Sequence, residues 1–324
     1  MSWTHRAPLR LACCAAALLV GINLPGHAAD YPERPIRLIV PNPPGGPSDL
    51  MVRSLAAPLE KILGKPLIID NQAGAAGTIG ATTVARAAPD GYTLFLGNNG
   101  PISISPLLQK LPYDPATAFE PVTLLANTPM LLYSSASVPA QDIASFIRYA
   151  ETVPKGINIG VVGGTTYLMT ELFLRASKVN AVKVSYKGGG PVTTALLADE
   201  LQAMITIPSA LLNGYVKSGK LRALGVSTPN PSDLAPGVPP ISRAVPGVVG
   251  EVWFGVLAPA GTPAAITGKL QAAFARAIAQ IPASSFQEAG LTPVASDGKT
   301  LGNLMAAETR QWAQLIREAN IKFD

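Results

Sequence analysis

A glycine-rich loop near the start of the chain has the residue types of an anion-binding site. The loop consists of Asn42, Pro43, Pro44, Gly45, Gly46 and Pro47, and Ser48 and Asp49 follow it. The apolar run before it, residues 36–40, predicts a buried strand, and the apolar spacing after it predicts a helix to residue 63. Backbone N–H groups and the positive dipole end at a helix start favour anions. Since the loop contains no lysine or arginine, we expect a modest anion such as a carboxylate.

Two alternatives apply to this loop. A nucleotide site would require Gly-Lys-Ser/Thr at the end of a phosphate-binding loop or the pattern G-x-G-x-x-G, and the segment has neither. A plain strand-to-helix turn remains the alternative interpretation. In either case we expect Ser48 or Asp49 to cap the helix with its side chain, and Pro58 to kink it.

A second segment repeats the same local chemistry. Residues 157–162 predict a buried strand, Gly163, Gly164, Thr165 and Thr166 follow, and a helix is predicted from about residue 167 to residue 178. Two helix starts from two domains would hold one anion between them. Thr165 and Thr166 are interpreted first as helix caps and second as ligand contacts.

Two asparagines follow a third predicted strand, residues 92–96. Asn98 and Asn99 would lie at the carboxyl end of that strand, where open α/β sheets bind their ligands. Turn residues in the left-handed backbone region are an equally good interpretation. Further along the chain, we expect residues 214–219 to form a turn and residues 301–319 a helix. That helix is expected to pack on the first domain and to face inward with Leu304, Ala307, Trp312, Leu315 and Ile316.

The first 28 residues have the pattern of a cleaved secretory signal. Arg6 and Arg10 precede an apolar run, residues 11–22, and Gly26-His27-Ala28 has the small-x-small pattern of a cleavage site. Both histidines and both cysteines of the chain fall within this segment. The exported chain would then lack the residues for a Ser-His or Cys-His pair and for a histidine or thiolate metal site. We expect no metal, no cofactor and no catalysis.

Charge and element order indicate the class of protein. The formal net charge is only +5 in 324 residues, without a basic run, so nucleic acid is not an expected partner. Alternating strands and helices predict an α/β protein with two domains. We expect lobe one at residues 29–125 and 256–324 and lobe two at residues 126–255. Hinge crossings are expected near residues 121–133 and 250–259.

Five motifs in register resemble one family over residues 31–324. They are PIRLIVPNPPGGPSD, NQAGAAGTIGATTVARAAPDGYTLFLG, YKGGGP, KLRALGVS and WFGVLAPAGTP. Together they look like the Bug family, the periplasmic, TctC-like solute receptors of tripartite tricarboxylate transporters. The resemblance implies a monomeric Venus-flytrap protein of type II-like fold, each lobe a mostly parallel sheet flanked by helices. It also implies a periplasmic location, permease subunits as partners and an organic mono- or dicarboxylate as ligand.

By the same resemblance, backbone groups and ordered waters of residues 43–49 and 163–166 hold the carboxylate. The chain departs from the family pattern at four positions: Asn42 replaces an aromatic residue, Tyr167 a histidine, Ser185 a proline and Thr206 an acidic residue. Neutral Asn42 and Thr206 predict a ligand without an amine. Two other functions remain open, a receptor that reports to a signalling partner and an exported hydrolase using Ser48 with Asp49 or Lys187.

Overall fold

The computed structural model describes residues 31–162, 164–186 and 188–321, so the predicted signal segment, Gly163 and Lys187 lie outside the described residues. The strands of this part form two sheets. In the first sheet they are β1 (Ile36–Val40), β2 (Leu67–Asn71), β3 (Thr93–Asn98), β4 (Phe119–Pro129), β10 (Glu251–Pro259) and β11 (Thr292–Pro293). In the second they are β5 (Leu131–Ser135), β6 (Ile157–Val162), β7 (Ala181–Tyr186), β8 (Ala203–Thr206) and β9 (Leu221–Val226).

Helices flank both sheets. They are α1 (Pro47–Leu63), α2 (Thr78–Ala85), α3 (Ser105–Leu108), α4 (Ile143–Glu151), α5 (Thr165–Ser177), α6 (Gly189–Leu197), α7 (Ala210–Lys217), α8 (Ala264–Ile278), α9 (Ala283–Glu288) and α10 (Gly298–Ala319). The predicted α/β class with two sheets is confirmed. Within the described residues, no helix combines the length and the apolar character that a membrane span requires.

The first strand and helix form for the reasons their sequences suggest. Leu38, Ile39 and Val40 have no exposed surface, as expected for a strand covered on both faces. In α1, Leu55 and Leu59 are fully buried four residues apart, which places them on one side of the helix. The helix continues through Pro58 to Leu63 and ends at Gly64, whose φ of 72° is left-handed.

Strand direction places the carboxyl ends of several strands at one edge of each sheet. β1 is parallel to β2 and β3, and β4 has the same direction because both β3 and β4 are antiparallel to β10. In the second sheet β6 is parallel to β7 and β8. Leu131, the first residue of β5, pairs with Thr206 and with Val226, so the carboxyl ends of β8 and β9 lie beside it. Both sheets are therefore mixed, where mostly parallel sheets were expected, and parallel pairing is confined to the strands around β1 and β6.

A single residue joins the two carboxyl edges. Met130 lies between Pro129 at the end of β4 and Leu131 at the start of β5. The return crossing leads from Ser227, just after β9, to Gly250, just before β10. Ser227 is fully buried and connects both crossings. Its hydroxyl accepts from the Met130 N–H at 2.8 Å and donates to the Gly250 carbonyl, and its own N–H donates to the Met130 carbonyl at 2.8 Å.

The last helix packs against both halves of the molecule, where we expected it to pack on the first. Leu301 and Met305 of α10 join the apolar cluster that contains Phe95 of the first sheet. Trp312 and Leu315, further along α10, join the cluster of the second sheet instead. The helix is long enough, at 22 residues, to bridge the two halves.

A buried carboxyl lies in the middle of α10. We expected Ala307 to point inward, but it is exposed, and Glu308 is 7% exposed. The Glu308 carboxyl accepts hydrogen bonds from the side chains of Asn99 and Trp253. Burial raises the pKa of Glu308. The apolar periodicity of the sequence did not predict this burial, because Glu308 is polar. Its hydrogen-bond partners are Trp253 on β10 and Asn99 directly after β3.

The expected turn at residues 214–219 is also wrong. This stretch belongs mostly to α7, and Ser209 caps the helix by accepting from the Leu212 N–H at 3.2 Å. Gly214 suggested a turn, but it lies inside the helix, where nothing approaches the position of its missing Cβ within 4 Å. The cap outweighs the weak helix propensity of one glycine.

We predict that Ser227→Ala lowers the free energy of unfolding by about 1–3 kcal/mol, because the buried Met130 N–H loses its acceptor and the Gly250 carbonyl one of its donors. Urea unfolding followed by circular dichroism measures this change. Ser218→Ala is the matched control: Ser218 is exposed, and we expect a change within about 0.5 kcal/mol. Equal effects of both substitutions would contradict a special role for Ser227.

Candidate ligand-binding site

The first glycine loop begins α1 without a side-chain cap. Gly46 is the N-cap residue, and Pro47, which lacks an N–H, opens the helix. The predicted cap by Ser48 or Asp49 is therefore wrong. Ser48 donates its hydroxyl to Oδ1 of Asn42 at 3.1 Å instead. Gly45 has a φ of 85°, so the left-handed position of the loop is this glycine and not Gly46.

The buried carboxylate of Asp49 stabilises the first glycine loop through hydrogen bonds. Its side chain is 1% exposed, and Oδ2 accepts from the Gly45 N–H and from Nε of Arg53, both at 2.8 Å. Oδ1 accepts from Nδ2 of Asn71 at 2.9 Å. The hydrogen bond from Arg53, more than the other contacts, lowers the pKa of Asp49 to about 2, although burial opposes this. Asp49 is therefore ionised at neutral pH, and Arg53 compensates its charge.

Arg53 and Asn71 are site residues that the sequence analysis missed. Nη2 of Arg53 donates to Oδ1 of Asn71 at 3.0 Å, and Nδ2 of Asn71 also donates to the Asn42 carbonyl at 3.0 Å. Two signals were available in the sequence. Arg53 follows Asp49 at the i,i+4 spacing of helical ion pairs. Asn71 ends the strand after β1, and in the sheet it pairs with Val40 directly before the loop.

The second glycine loop begins α5 in a similar way. Gly164 is the N-cap residue with φ 75° and ψ −136°, and no side chain caps the helix. The interpretation of Thr165 and Thr166 as caps is wrong. Thr166 turns its hydroxyl backwards and donates to the Val162 carbonyl. The N-cap residues of α1 and α5 are thus both glycines, which have no side chain that could cap the helix.

Asn98 and Asn99 have different surroundings at the end of β3. Oδ1 of Asn98 accepts from the Gly100 N–H at 3.0 Å, and its side chain is half-buried. Asn99 is fully buried; Nδ2 donates to the Glu251 carbonyl and Oδ1 accepts from the Trp253 N–H. Its φ of −50° is helical, so a left-handed turn is wrong for Asn99. Asn99 is a structural residue, and Asn98 stays a candidate.

The structure gathers the candidate residues at two edges that share a crossing. Asn42 to Asp49, with Asn98, lie where β1 and β3 end, and Gly164, Thr165, Thr166 and Thr206 lie where β6 and β8 end. Met130 joins these same two edges. Among the described residues, no hydrogen bond links the first loop to the second. A ligand between them would therefore supply the connection.

A cavity of about 350 Å³ lies beside the return crossing and is chemically different. Its lining includes Asp233 and Glu251 and contains no lysine or arginine. Burial raises the pKa of Glu251, to which Nδ2 of Asn127 donates. Two acidic groups without a basic residue do not suit an anion. The two loops are thus the better site for a carboxylate.

Comparison with known proteins identifies the family. The model of the tripartite tricarboxylate transporter receptor family, TctC, matches residues 51–321. This chain belongs to that family. The receptor is 33% identical over 308 residues to Protein BugT of Bordetella pertussis, covering 93% of this chain and 94% of the relative. The resemblance inferred from the five motifs is confirmed.

Solved structures agree with this assignment. The structure of the periplasmic binding protein BugD has a TM-score of 0.74 and 30% identity, covering 90% of this receptor and 99% of that chain. Rpa4515 of R. palustris with adipate has a TM-score of 0.77 and 32% identity, covering 90% and 99%. MatC of Rhodopseudomonas palustris with bound malate has a TM-score of 0.73 and 32% identity, covering 88% and 100%. The two-lobed periplasmic-binding-protein fold is thus confirmed.

We predict that Asp49→Asn destabilises the receptor by about 2 kcal/mol at pH 7, and that this difference disappears in acid. A carboxyl whose folded pKa is lowered stabilises the fold above its unfolded pKa, and this contribution is lost as pH falls from about 4 toward 2. Urea unfolding from pH 7 to pH 2 measures it. Asp90→Asn, in an exposed pair with Arg34, should change stability by less than 1 kcal/mol. A constant effect of Asp49→Asn across this range would contradict the assignment.

We also predict that the two loop glycines differ in their tolerance of alanine. Gly45→Ala should cost about 1–2 kcal/mol because its φ of 85° is unfavourable for a side chain. Gly46→Ala should change stability by no more than about 0.5 kcal/mol, since its φ is −78° and its Cβ would meet only the Pro43 carbonyl, at 3.8 Å. Thermal unfolding of both variants without ligand measures the difference. Equal stability would show that the loop backbone relaxes freely.

Proposed function

We propose that this chain captures a small organic carboxylate between its two lobes in the periplasm and delivers it to the permease subunits of a tripartite tricarboxylate transporter. One observation carries the proposal: two helices begin at glycine loops on edges joined by Met130, and neither has a side-chain cap. Uncapped first turns retain N–H donors and a positive dipole end for an anion.

The site residues proposed for the carboxylate are those predicted from the sequence. They are Asn42, Pro43, Pro44, Gly45, Gly46, Pro47, Ser48 and Asp49 in lobe one, Asn98 beside them, and Gly163, Gly164, Thr165, Thr166 and Thr206 in lobe two. Gly45 and Asp49 act on the loop's shape, because the Gly45 N–H already donates to Asp49. The adipate and malate in the two solved relatives support a mono- or dicarboxylate ligand.

We infer that the lobes close about the two crossings. β4 and β10 remain paired as far as Pro129 and Glu251, so bending is best placed at Met130 and Gly250. This shifts the proposed lobe boundaries from residues 125/126 and 255/256 to these two residues. Ser227, bonded to both, would be the fixed point of the movement, and α10 would limit its range because it packs on both lobes.

A hydrolase is less well supported. An aspartate with a pKa of about 2 that is already paired with Arg53 is a poor general base at neutral pH. The Ser48 hydroxyl donates to an amide oxygen and has no base beside it among the described residues. A role as a signalling receptor would use the same closing lobes, and no contact in the structure favours it.

We predict that malate or adipate stabilises the purified receptor. A ligand at roughly one hundred times its dissociation constant adds about 2.7 kcal/mol to the free energy of unfolding. A thermal-shift panel of organic acids, followed by calorimetry, measures binding. Small-angle scattering measures closure, for which we expect a smaller radius of the protein with ligand. Gly164→Val should abolish the response, since the backbone at φ 75° and ψ −136° is unsuited to a branched side chain. An unchanged melting temperature with every acid would refute the proposal.

A further inference from the structure

Asn42 has a side-chain hydrogen-bond donor without an acceptor among the described residues. Its Oδ1 accepts from the Ser48 hydroxyl at 3.1 Å, and its backbone carbonyl accepts from Nδ2 of Asn71 at 3.0 Å. Its own Nδ2 donates to no atom of the described residues. The side chain is half-buried at the start of the first loop. Because Oδ1 already accepts from Ser48, the N–H₂ group is the part of the side chain that is left without a partner among the described residues.

The carboxylates of the surrounding elements, by contrast, already have partners. Asp49 accepts from Gly45, Arg53 and Asn71. On α5, the carboxylate of Glu171 accepts a hydrogen bond from the ammonium group of Lys183. At the start of β10, Glu251 accepts from Asn127. An ammonium group would thus find none of these three described carboxylates free of other partners.

We propose that Asn42 is a specificity-determining residue that donates from Nδ2 to a second polar group of the ligand. This inference rests on the proposed carboxylate-binding function and narrows its ligand class. The second group must accept a hydrogen bond, so it is a carboxylate, a carbonyl or a hydroxyl. A protonated amine is rejected, because it faces a donor and its desolvation is not compensated by a free carboxylate. Thr206, neutral in lobe two, adds no charge that would offset this.

The test uses two ligands that differ at one group. L-Malate has a hydroxyl where L-aspartate has an ammonium, so calorimetry with both acids isolates the amine. We expect the native receptor to bind malate at least about tenfold more tightly than aspartate. Asn42→Asp is nearly isosteric, still accepts from Ser48, and replaces the free N–H₂ by a carboxylate oxygen. This variant should reduce the ratio of the affinity for malate to the affinity for aspartate by at least about tenfold.

Two further variants separate the possible causes. Asn42→Leu removes the donor without adding an acceptor, so malate binding should weaken with no gain for aspartate. Asn303→Asp adds the same charge at an exposed position of α10 and should leave the ratio unchanged. Thermal unfolding without ligand checks that each variant is folded.

The outcomes distinguish this inference from the proposed function. If the native receptor binds aspartate as tightly as malate, or if Asn42→Asp changes the ratio no more than Asn303→Asp, the role of Asn42 is refuted while carboxylate binding stands. If the native receptor binds neither these two acids nor succinate nor adipate, the proposed function itself is refuted.

Discussion

The connection through Met130 is the constraint on which the rest of the structure depends. One residue between β4 and β5 leaves no slack, so the carboxyl edge of the first sheet must lie beside that of the second. Loops at the carboxyl ends of parallel strands are where α/β sheets bind ligands. This short crossing therefore brings the two carboxyl edges together, so that their loops can form the two sides of one cleft. Ser227 fixes the arrangement by bonding to Met130 and to Gly250 of the return crossing.

At the first loop, the carboxylate has its partners while one side-chain donor does not. Asp49 accepts from Gly45, Arg53 and Asn71, whereas Nδ2 of Asn42 has no acceptor among the described residues, and the N-cap residues of α1 and α5 are glycines without a capping side chain. Such a surface favours anions without presenting a free basic side chain. The ion pair beneath the loop fixes the backbone before a ligand arrives, which reduces the entropy lost on binding.

The family's fold and this receptor's own chemistry can thus be separated. The glycine loops, the crossings and the two mixed sheets accompany a fold shared with BugD and with the adipate- and malate-bound relatives. The donor at Asn42 and the neutral Thr206 belong to this chain's sequence. Under the proposal that backbone groups provide the anchor, side chains at a few positions are free to set the choice of acid.

The sequence by itself determined the α/β class, both glycine loops and their suitability for an anion, because apolar runs and glycines are local signals. It also carried the five motifs from which the family was inferred. Only the tertiary structure decided what Asp49, Thr166 and Asn99 do, since each side chain had several partners within reach. Asp49 was expected to cap its helix, but its carboxylate instead accepts a hydrogen bond from Asn71, 22 residues away in the chain. Glu308 likewise replaced Ala307 in the core because Asn99 and Trp253, remote in sequence, satisfy a buried carboxyl. Local pattern fixes what a segment prefers, and contacts between distant segments decide which preference prevails.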